Sequence, residues 1–174
     1  MAIRPYRSSD LDTLYEINQA SVPGVGSETK TSLERWINLS TVFVATDKKD
    51  TPLGFITLTE PGTMAYDSNN LRWFEAYMAE CGRSLIYVDR VAIAETARGQ
   101  KLGEQLYQAA YEAFADREEI GCEINLNPPN PGSIRFHERL GFRRIGDRAY
   151  GTNGYRVAYY VRTLNADQRP TVQA

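Results

Sequence analysis

Residues 86–114 read IYVDRVAIAETARGQKLGEQLYQAAYEAF, and this stretch decides the fold. Its first eight residues are mostly apolar and rich in β-branched side chains, which predicts a buried strand. Its last part carries an apolar stripe at helical spacing, formed by Leu102, Leu106, Ala109, Ala110, Ala113 and Phe114. The segment RGQKLG at 98–103 therefore joins a strand to the start of a helix.

This junction is typical of an anion site. Backbone N–H groups in the first turn of a helix have no intrahelical partner and carry partial positive charge, so they stabilise a phosphate group. Gly99 and Gly103 have no side chain where such a ligand would approach the backbone. A plain strand-to-helix turn explains the same residues equally well, and the junction alone does not separate the two interpretations.

A second group of residues, about thirty positions further on, gives the junction a context. The combined set is Val91, Ile93, Arg98, Gly99 and Gly103, followed by Asn130, Ser133, Phe136, His137, Gly141 and Phe142. It resembles the coenzyme A motif and the following motif of the GCN5-related N-acetyltransferase (GNAT) superfamily, over residues 85–142. Two positions depart from that pattern, because Glu95 stands where proline is common and Lys101 replaces the middle glycine. We expect Lys101 to be tolerated in an ordinary helical first turn, where it adds a positive charge beside the phosphates.

The resemblance implies an α/β (α+β) fold. Its expected form is a mixed, mostly antiparallel sheet of six to seven strands, flanked by helices, with a splayed central strand pair that often lies beside a β-bulge. Local patterns agree, since they predict strands at 2–4, 41–46, 53–59, 84–93, 122–127, 143–149 and 155–162. We predict one acetyltransferase domain over 1–164, with an inserted loop and helix at 61–83 and a flexible polar tail at 165–174.

Composition excludes several other classes of protein. The 174 residues carry a formal net charge of −2, which argues against a nucleic-acid or anionic-membrane partner. Cys81 and Cys122 are too far apart for a zinc or redox motif, so we expect reduced thiols and no metal. No apolar run approaches the length of a bilayer span and none resembles a signal peptide, so we expect a cytoplasmic protein.

The resemblance implies acetyl-CoA as cosubstrate. Main-chain groups of Val91, Ala92 and Ile93 are expected to pair with the pantetheine arm like an added strand. The diphosphate is expected at Arg98, Gly99, Gln100, Lys101, Leu102, Gly103 and Glu104, and further contacts at Asn130, Ser133 and His137. Asn130 has an alternative role, because it can cap the helix that starts at Pro131.

Transfer to an amine requires a proton acceptor, since an alkyl ammonium has a pKa of about 10. Asp89 is our leading candidate, because strand alternation places Tyr87, Asp89, Val91 and Ile93 on one side. Glu75 is a weaker candidate. The competing interpretation of Asp89 is an ion pair with an arginine or a role in a bulge.

His137 is the only histidine of the chain, and it stands where the family often has a tyrosine that protonates the departing thiolate. An imidazole that titrates near neutrality can donate that proton. The competing interpretation is a helix residue hydrogen-bonded in the core, since Ser133 and Ile134 share its helix face.

The sequence therefore predicts an N-acetyltransferase that uses direct attack by a primary amine of a small molecule or amino acid. The main alternative is a coenzyme A-binding sensor or interaction module without turnover, and a second is an unrelated nucleotide-binding protein, against which the absence of a P-loop counts. The acceptor pocket is expected between the first two helices and the segment 61–83. Tyr66, Tyr77, Tyr87 and Tyr150 either line it or pack in the core. Homodimers are common in the family, so a homodimer is a further expectation.

Overall fold

The computed structural model describes residues 1–164, so the predicted tail at 165–174 lies outside the described residues. The strands are β1 (Ala2–Pro5), β2 (Thr41–Thr46), β3 (Pro52–Thr59), β4 (Leu85–Ile93), β5 (Glu119–Asn127), β6 (Arg143–Tyr150) and β7 (Tyr155–Thr163). The α-helices are α1 (Leu11–Ala20), α2 (Lys30–Asn38), α3 (Asn69–Cys81), α4 (Leu102–Ala113) and α5 (Pro131–Arg139). Short 3-10 turns at Ser8–Asp10 and Glu95–Ala97 precede α1 and α4.

The seven described strands form one sheet in the order β1-β2-β3-β4-β5-β7-β6. Every neighbouring pair is antiparallel except β4 and β5, which are parallel. This confirms the expected mixed, mostly antiparallel sheet. The parallel pair is at the centre, where a crossover through α4 joins its two strands.

Helices cover both faces of the sheet. Four residues of the predicted stripe, Leu102, Leu106, Ala110 and Phe114, pack with Ile86, Val88 and Ile120 on one face, whereas Ala113 is exposed. Helix α5 adds Ile134 and Phe136 to the same face. The other face holds two clusters, one formed with α1 and α2 and the other with α3. The helix predicted within 61–83 is α3, and it buries Leu71 and Phe74 completely.

Helix ends follow the local sequence. Side-chain oxygens of Thr29, Ser68 and Asn130 accept a backbone N–H bond in the first turn of α2, α3 and α5, respectively. Beyond α3, Gly82 has a φ of 69°, a left-handed conformation that ends the helix without steric cost.

Strand β5 begins at Glu119, three residues before the predicted start at 122. Glu119 is fully buried, which is rare for a glutamate unless its carboxylate is paired. The structure surrounds its carboxylate with donors from distant parts of the chain: the Tyr77 hydroxyl at 2.8 Å and the guanidinium groups of Arg83 at 2.8 Å and Arg143 at 3.2 Å. Donors from distant parts of the chain thus neutralise the buried charge of Glu119, a residue type that is disfavoured in strands.

Candidate active site

The centre of the sheet is split. Parallel pairing between β4 and β5 runs from Leu85–Glu119 to Val88–Cys122 and then stops, whereas both strands continue. Residues 90–93 still pair with β3 on one side, and their edge toward β5 has no strand partner. A cavity of about 1070 Å³ lies along this gap and reaches the start of α4 and α5. The splayed pair is the predicted one, and it leaves main-chain donors and acceptors open to a ligand.

Most residues predicted to bind the cosubstrate line this cavity. They are Val91, Ala92, Ile93, Arg98, Gly99, Lys101, Leu102, Gly103, Glu104, Asn130, Ser133 and His137. Gln100 does not line it. Sequence reasoning did not anticipate two other parts of its wall: the loop at 20–25 and the β5 residues Cys122, Glu123 and Asn125.

The loop before α4 turns through two left-handed residues. Gly99 has a φ of 78°, and Lys101, the N-cap residue of α4, has φ 58° and ψ 22°. The expectation that Lys101 sits in an ordinary helical turn is therefore wrong, because the loop keeps the conformation that glycine adopts most easily. The Lys101 side chain forms no capping bond, which leaves the first-turn N–H groups of α4 without a side-chain acceptor from that residue.

Replacement of Lys101 by glycine is expected to stabilise the protein. Relief of the left-handed strain is worth about 1–2 kcal/mol, and the greater freedom of glycine in the unfolded chain cancels part of it, so we expect a net gain of about 0.5–1 kcal/mol in urea denaturation. Lys101→Ala is the matched control, because it removes the charge but retains Cβ. A gain of equal size in the alanine variant would contradict the strain argument.

Gly103 has a packing role that the sequence did not indicate. A Cβ atom at this position would lie 2.9 Å from Cζ of Phe136 in α5, which is closer than carbon atoms approach. Glycine therefore allows α4 and α5 to come together at the cavity.

Asn130 at the start of α5 accepts the Ser133 N–H at 3.2 Å through Oδ1, so the capping interpretation is correct, and Nδ2 takes no part in that bond.

The surroundings of His137 match the interpretation that it is a helix residue hydrogen-bonded in the core. Its Nδ1 lies 2.8 Å from the Ser133 carbonyl oxygen, which can only accept, so this nitrogen carries the proton. Its Nε2 therefore accepts from the Tyr107 hydroxyl at 2.8 Å. Burial lowers the pKa of His137 to about 4. A neutral imidazole with both nitrogens bonded holds α4 to α5 and is poorly suited to donate a proton to a thiolate, contrary to our first hypothesis.

His137 should make stability fall in mild acid. The ring stays neutral in the folded protein, with a pKa of about 4, but takes up a proton near pH 6.5 once unfolded. Lowering the pH from 7 to 5 therefore favours the unfolded chain by about 2 kcal/mol through this residue. His137→Phe should lose that part of the pH dependence in urea denaturation. Equal slopes for the two proteins over this interval would contradict the assignment.

Asp89 is the extra residue of a β-bulge. In the β3–β4 ladder Thr57 faces Arg90 and Leu58 faces Val88, so Asp89 has no partner. The predicted alternation is wrong for this reason: Tyr87 packs on the α3 side of the sheet, whereas Val91 packs on the α4 side. The Asp89 carboxylate accepts from Nε of Arg90 at 2.8 Å and lies 3.0 Å from the Tyr87 hydroxyl, whose single proton it shares with Glu123. It lines the cavity, but as half of an ion pair.

Glu123 is the residue that sequence reasoning missed. It lies on β5 directly after Cys122, the last β5 residue that pairs with β4. It lines the cavity and accepts from the Tyr87 hydroxyl at 2.8 Å. Burial, followed by repulsion from Asp89, raises its pKa to about 8. A signal was present, because Glu123, Asn125 and Asn127 alternate with Ile124 and Leu126 and mark one polar strand face. A carboxylate that titrates near neutrality is suited to accept a proton.

Comparisons with known proteins identify the family of this chain. The sequence matches the acetyltransferase (GNAT) family over residues 11–142. The chain belongs to this family. It is 33% identical over 79 residues to phosphinothricin N-acetyltransferase from Streptomyces coelicolor, a match that covers 42% of this chain and 46% of that protein, or less than half its length.

Solved GNAT structures share the fold. NAA60 of Arabidopsis thaliana, in complex with a bisubstrate analogue, aligns with a TM-score of 0.72 at 18% identity and covers 94% of this chain and 98% of its own. A phosphinothricin acetyltransferase from Sinorhizobium meliloti, in complex with acetyl-CoA, aligns with a TM-score of 0.67 at 18% identity and covers 99% and 94%.

A second cavity, of about 340 Å³, opens on the far side of Asp89 in this GNAT chain. It shares Asp89 with the first cavity, and its walls come from α2, from residues 66–70 and from the β6–β7 hairpin. Glu75, the weaker base candidate, lines neither cavity; its carboxylate accepts from the Gly62 N–H at 2.6 Å and pairs with Arg72 at 3.0 Å. The two cavities therefore approach each other at Asp89.

No helix within 1–164 is long and apolar enough to cross a membrane. Over the same range, no group of three or more His, Cys, Asp or Glu side chains is placed to hold a metal ion.

Proposed function

We propose that this protein transfers the acetyl group of acetyl-CoA to a primary amine of a small molecule. One observation carries the proposal: the open edge of β4, the uncapped start of α4 and the carboxylate of Glu123 all line the same cavity. The similarity to phosphinothricin N-acetyltransferase from Streptomyces coelicolor also supports a small-molecule amine as acceptor.

The residues present fit the cosubstrate. First-turn N–H groups of α4, with Arg98 and Lys101 beside them, suit the diphosphate. Main-chain groups of residues 91–93 suit the amides of the pantetheine arm, because their edge toward β5 has no strand partner. Bound there, acetyl-CoA would supply an activated acetyl thioester.

We assign the proton acceptor to Glu123 in place of Asp89. The incoming ammonium gives one proton to the Glu123 carboxylate. The neutral nitrogen then bonds to the acetyl carbon as the C–S bond breaks, and the departing thiolate takes up the second nitrogen proton and leaves as the thiol. Asp89 is engaged by Arg90 at 2.8 Å, so it acts on Glu123 mainly through its charge. A base with a pKa of about 8 is well matched to an ammonium at neutral pH.

Direct attack is favoured over a thiol intermediate. Cys122 lines the cavity, but burial raises the pKa of its thiol well above the usual range, so little thiolate is present at neutral pH. Cys81 is exposed and does not line the cavity. Cys122 is therefore not ionised, and Cys81 is not placed, to carry the acetyl group.

A thermal-shift and turnover experiment tests the function. We expect acetyl-CoA to raise the melting temperature more than ATP or NAD does, and a thiol-reactive dye to report coenzyme A release that depends on an added amine. Stabilisation by acetyl-CoA without thiol release would favour the non-catalytic coenzyme A-binding alternative. Preferential stabilisation by ATP or NAD would contradict the proposal.

We also propose a cytoplasmic location, which suits a protein whose two cysteines are free and reduced. A homodimer is proposed on family grounds alone. Sedimentation equilibrium would test the assembly directly.

A further inference from the structure

The second cavity is acidic and aromatic. Three carboxylates line it, from Glu28, Asp67 and Asp89, together with four aromatic side chains, from Trp36, Tyr66, Tyr150 and Tyr155. Arg90 is the one cationic residue among the described residues of its wall. Such a surface attracts cations through its charge and through the faces of aromatic rings. One face of two of these rings already carries a guanidinium, because Arg35 lies 5.1 Å from the Trp36 ring centre and Arg148 lies 4.8 Å from that of Tyr150.

Arg90 is not available to a substrate. It is 7% exposed, and four of its five N–H groups donate within the protein. The acceptors are the carboxylates of Asp89 at 2.8 Å and Glu28 at 2.7 Å, the Asn18 side-chain oxygen at 3.0 Å and the Gly26 carbonyl at 3.1 Å. The two carboxylates therefore neutralise the charge of Arg90. Asp67, at the exposed rim, has no cation paired with it in the wall.

One polar atom in the wall lacks a partner. The Tyr66 hydroxyl is buried and lies close to Asp89 and Thr59, but it meets the geometry of a hydrogen bond with neither. The Tyr66 ring packs against Trp36 with a centroid distance of 4.9 Å. A buried hydroxyl without a partner is unfavourable, so a ligand group that bonds to it would be stabilised.

We propose that the second cavity admits the acetyl acceptor and that this acceptor is a cationic amine without a carboxylate group. The proposal rests on the proposed function, because the amine must reach the thioester at Asp89 and Glu123, where the two cavities approach. An α-amino acid would bring its carboxylate to a wall that offers three carboxylates and no unpaired guanidinium. Arylalkylamines and diamines lack that repulsion and suit the aromatic rings.

Pairs of compounds that differ only in one carboxylate test the inference. We expect kcat/KM for cadaverine to exceed that for lysine, and that for phenethylamine to exceed that for phenylalanine, each by at least about tenfold. The pair with the larger absolute kcat/KM distinguishes a diamine from an arylalkylamine preference. A preference for either amino acid would overturn the inference and leave the proposed function intact.

A binding measurement keeps the test independent of turnover. The chain has two tryptophans, so Trp73→Phe leaves Trp36 in the cavity wall as the only indole reporter. Cadaverine or phenethylamine should change its fluorescence saturably, at concentrations at least about tenfold below those of lysine or phenylalanine. Equal or tighter binding of the amino acids, or no saturable change with any amine, would overturn the inference. Selective amine binding without thiol release would instead count against the proposed function.

A charge reversal sharpens the assignment. Asp67→Lys should reduce the preference for the carboxylate-free compound at least about threefold, because it places a cation at the rim. Glu112→Lys makes the same charge change on exposed α4, outside both cavities, and should leave the preference unchanged. Equal effects of the two variants would show that net charge sets the preference, and the assignment to this cavity would then fail.

Discussion

Glu123→Gln is expected to lower kcat by about 100- to 1000-fold at pH 7, with little change in acetyl-CoA binding. Glutamine keeps an acceptor for the Tyr87 hydroxyl, which now lies 2.8 Å from the carboxylate, but it cannot take up a proton. In the natural protein kcat should rise through pH 8, since the carboxylate with a pKa of about 8 must be ionised to act. That rise should disappear in the variant.

Asp89→Asn separates the two carboxylates. Removal of the neighbouring negative charge should lower the pKa of Glu123, so the rise in kcat should move to lower pH and remain present. The exposed Glu112→Gln is the matched control, with unchanged kinetics expected. A pH profile that survives in Glu123→Gln and disappears in Asp89→Asn would return the role of base to Asp89.

Glu123→Gln should also increase the stability of the folded protein at high pH. The folded pKa of Glu123 is raised, so the stability that its carboxyl group contributes is present below the unfolded value near 4.5 and is lost as the pH rises through about 8. Glutamine has no such loss. We expect Glu123→Gln to be more stable than the natural protein by about 2 kcal/mol at pH 9, less than the full shift implies because the cavity admits water. Lower activity with higher stability would identify a residue kept for function.

Arg90→Gln should be the most destabilising of the proposed variants. Its guanidinium holds β4 to Asn18, Gly26 and Glu28, which lie 62 to 72 positions away in the chain. Loss of the charge leaves the carboxylates of Asp89 and Glu28, 13% and 18% exposed, without their cation. We expect a loss of about 3 kcal/mol in urea denaturation and a melting temperature lower by about 6–12 °C.

Arg144→Gln provides the control for this experiment. Arg144 also pairs with an aspartate, Asp147, but its side chain is 44% exposed, so the loss should stay below about 0.5 kcal/mol. Similar losses in the two variants would contradict the view that burial determines the cost. An unfolded Arg90→Gln would agree with it, and the milder Glu28→Gln would then give a measurable loss.

Several features of this protein follow from local sequence alone. The apolar run before residue 94 and the helical stripe after 101 determine β4 and α4, because a buried strand and an amphipathic helix each need their own periodicity. Capping at Thr29, Ser68 and Asn130 also depends only on neighbours within three residues. The family motif adds to these the position of the splayed strands.

Tertiary structure alone decided the chemistry of the site. A single bulge at Asp89 reversed the faces on which Tyr87 and Val91 lie, and strand alternation cannot foresee an inserted residue. Lys101 took a left-handed conformation because the loop into α4 requires it. Glu123 became the candidate base because burial and Asp89, 34 positions earlier in the chain, act on it together. Periodicity is a property of neighbours in sequence, whereas a pKa depends on neighbours in space, and only the folded chain brings those together.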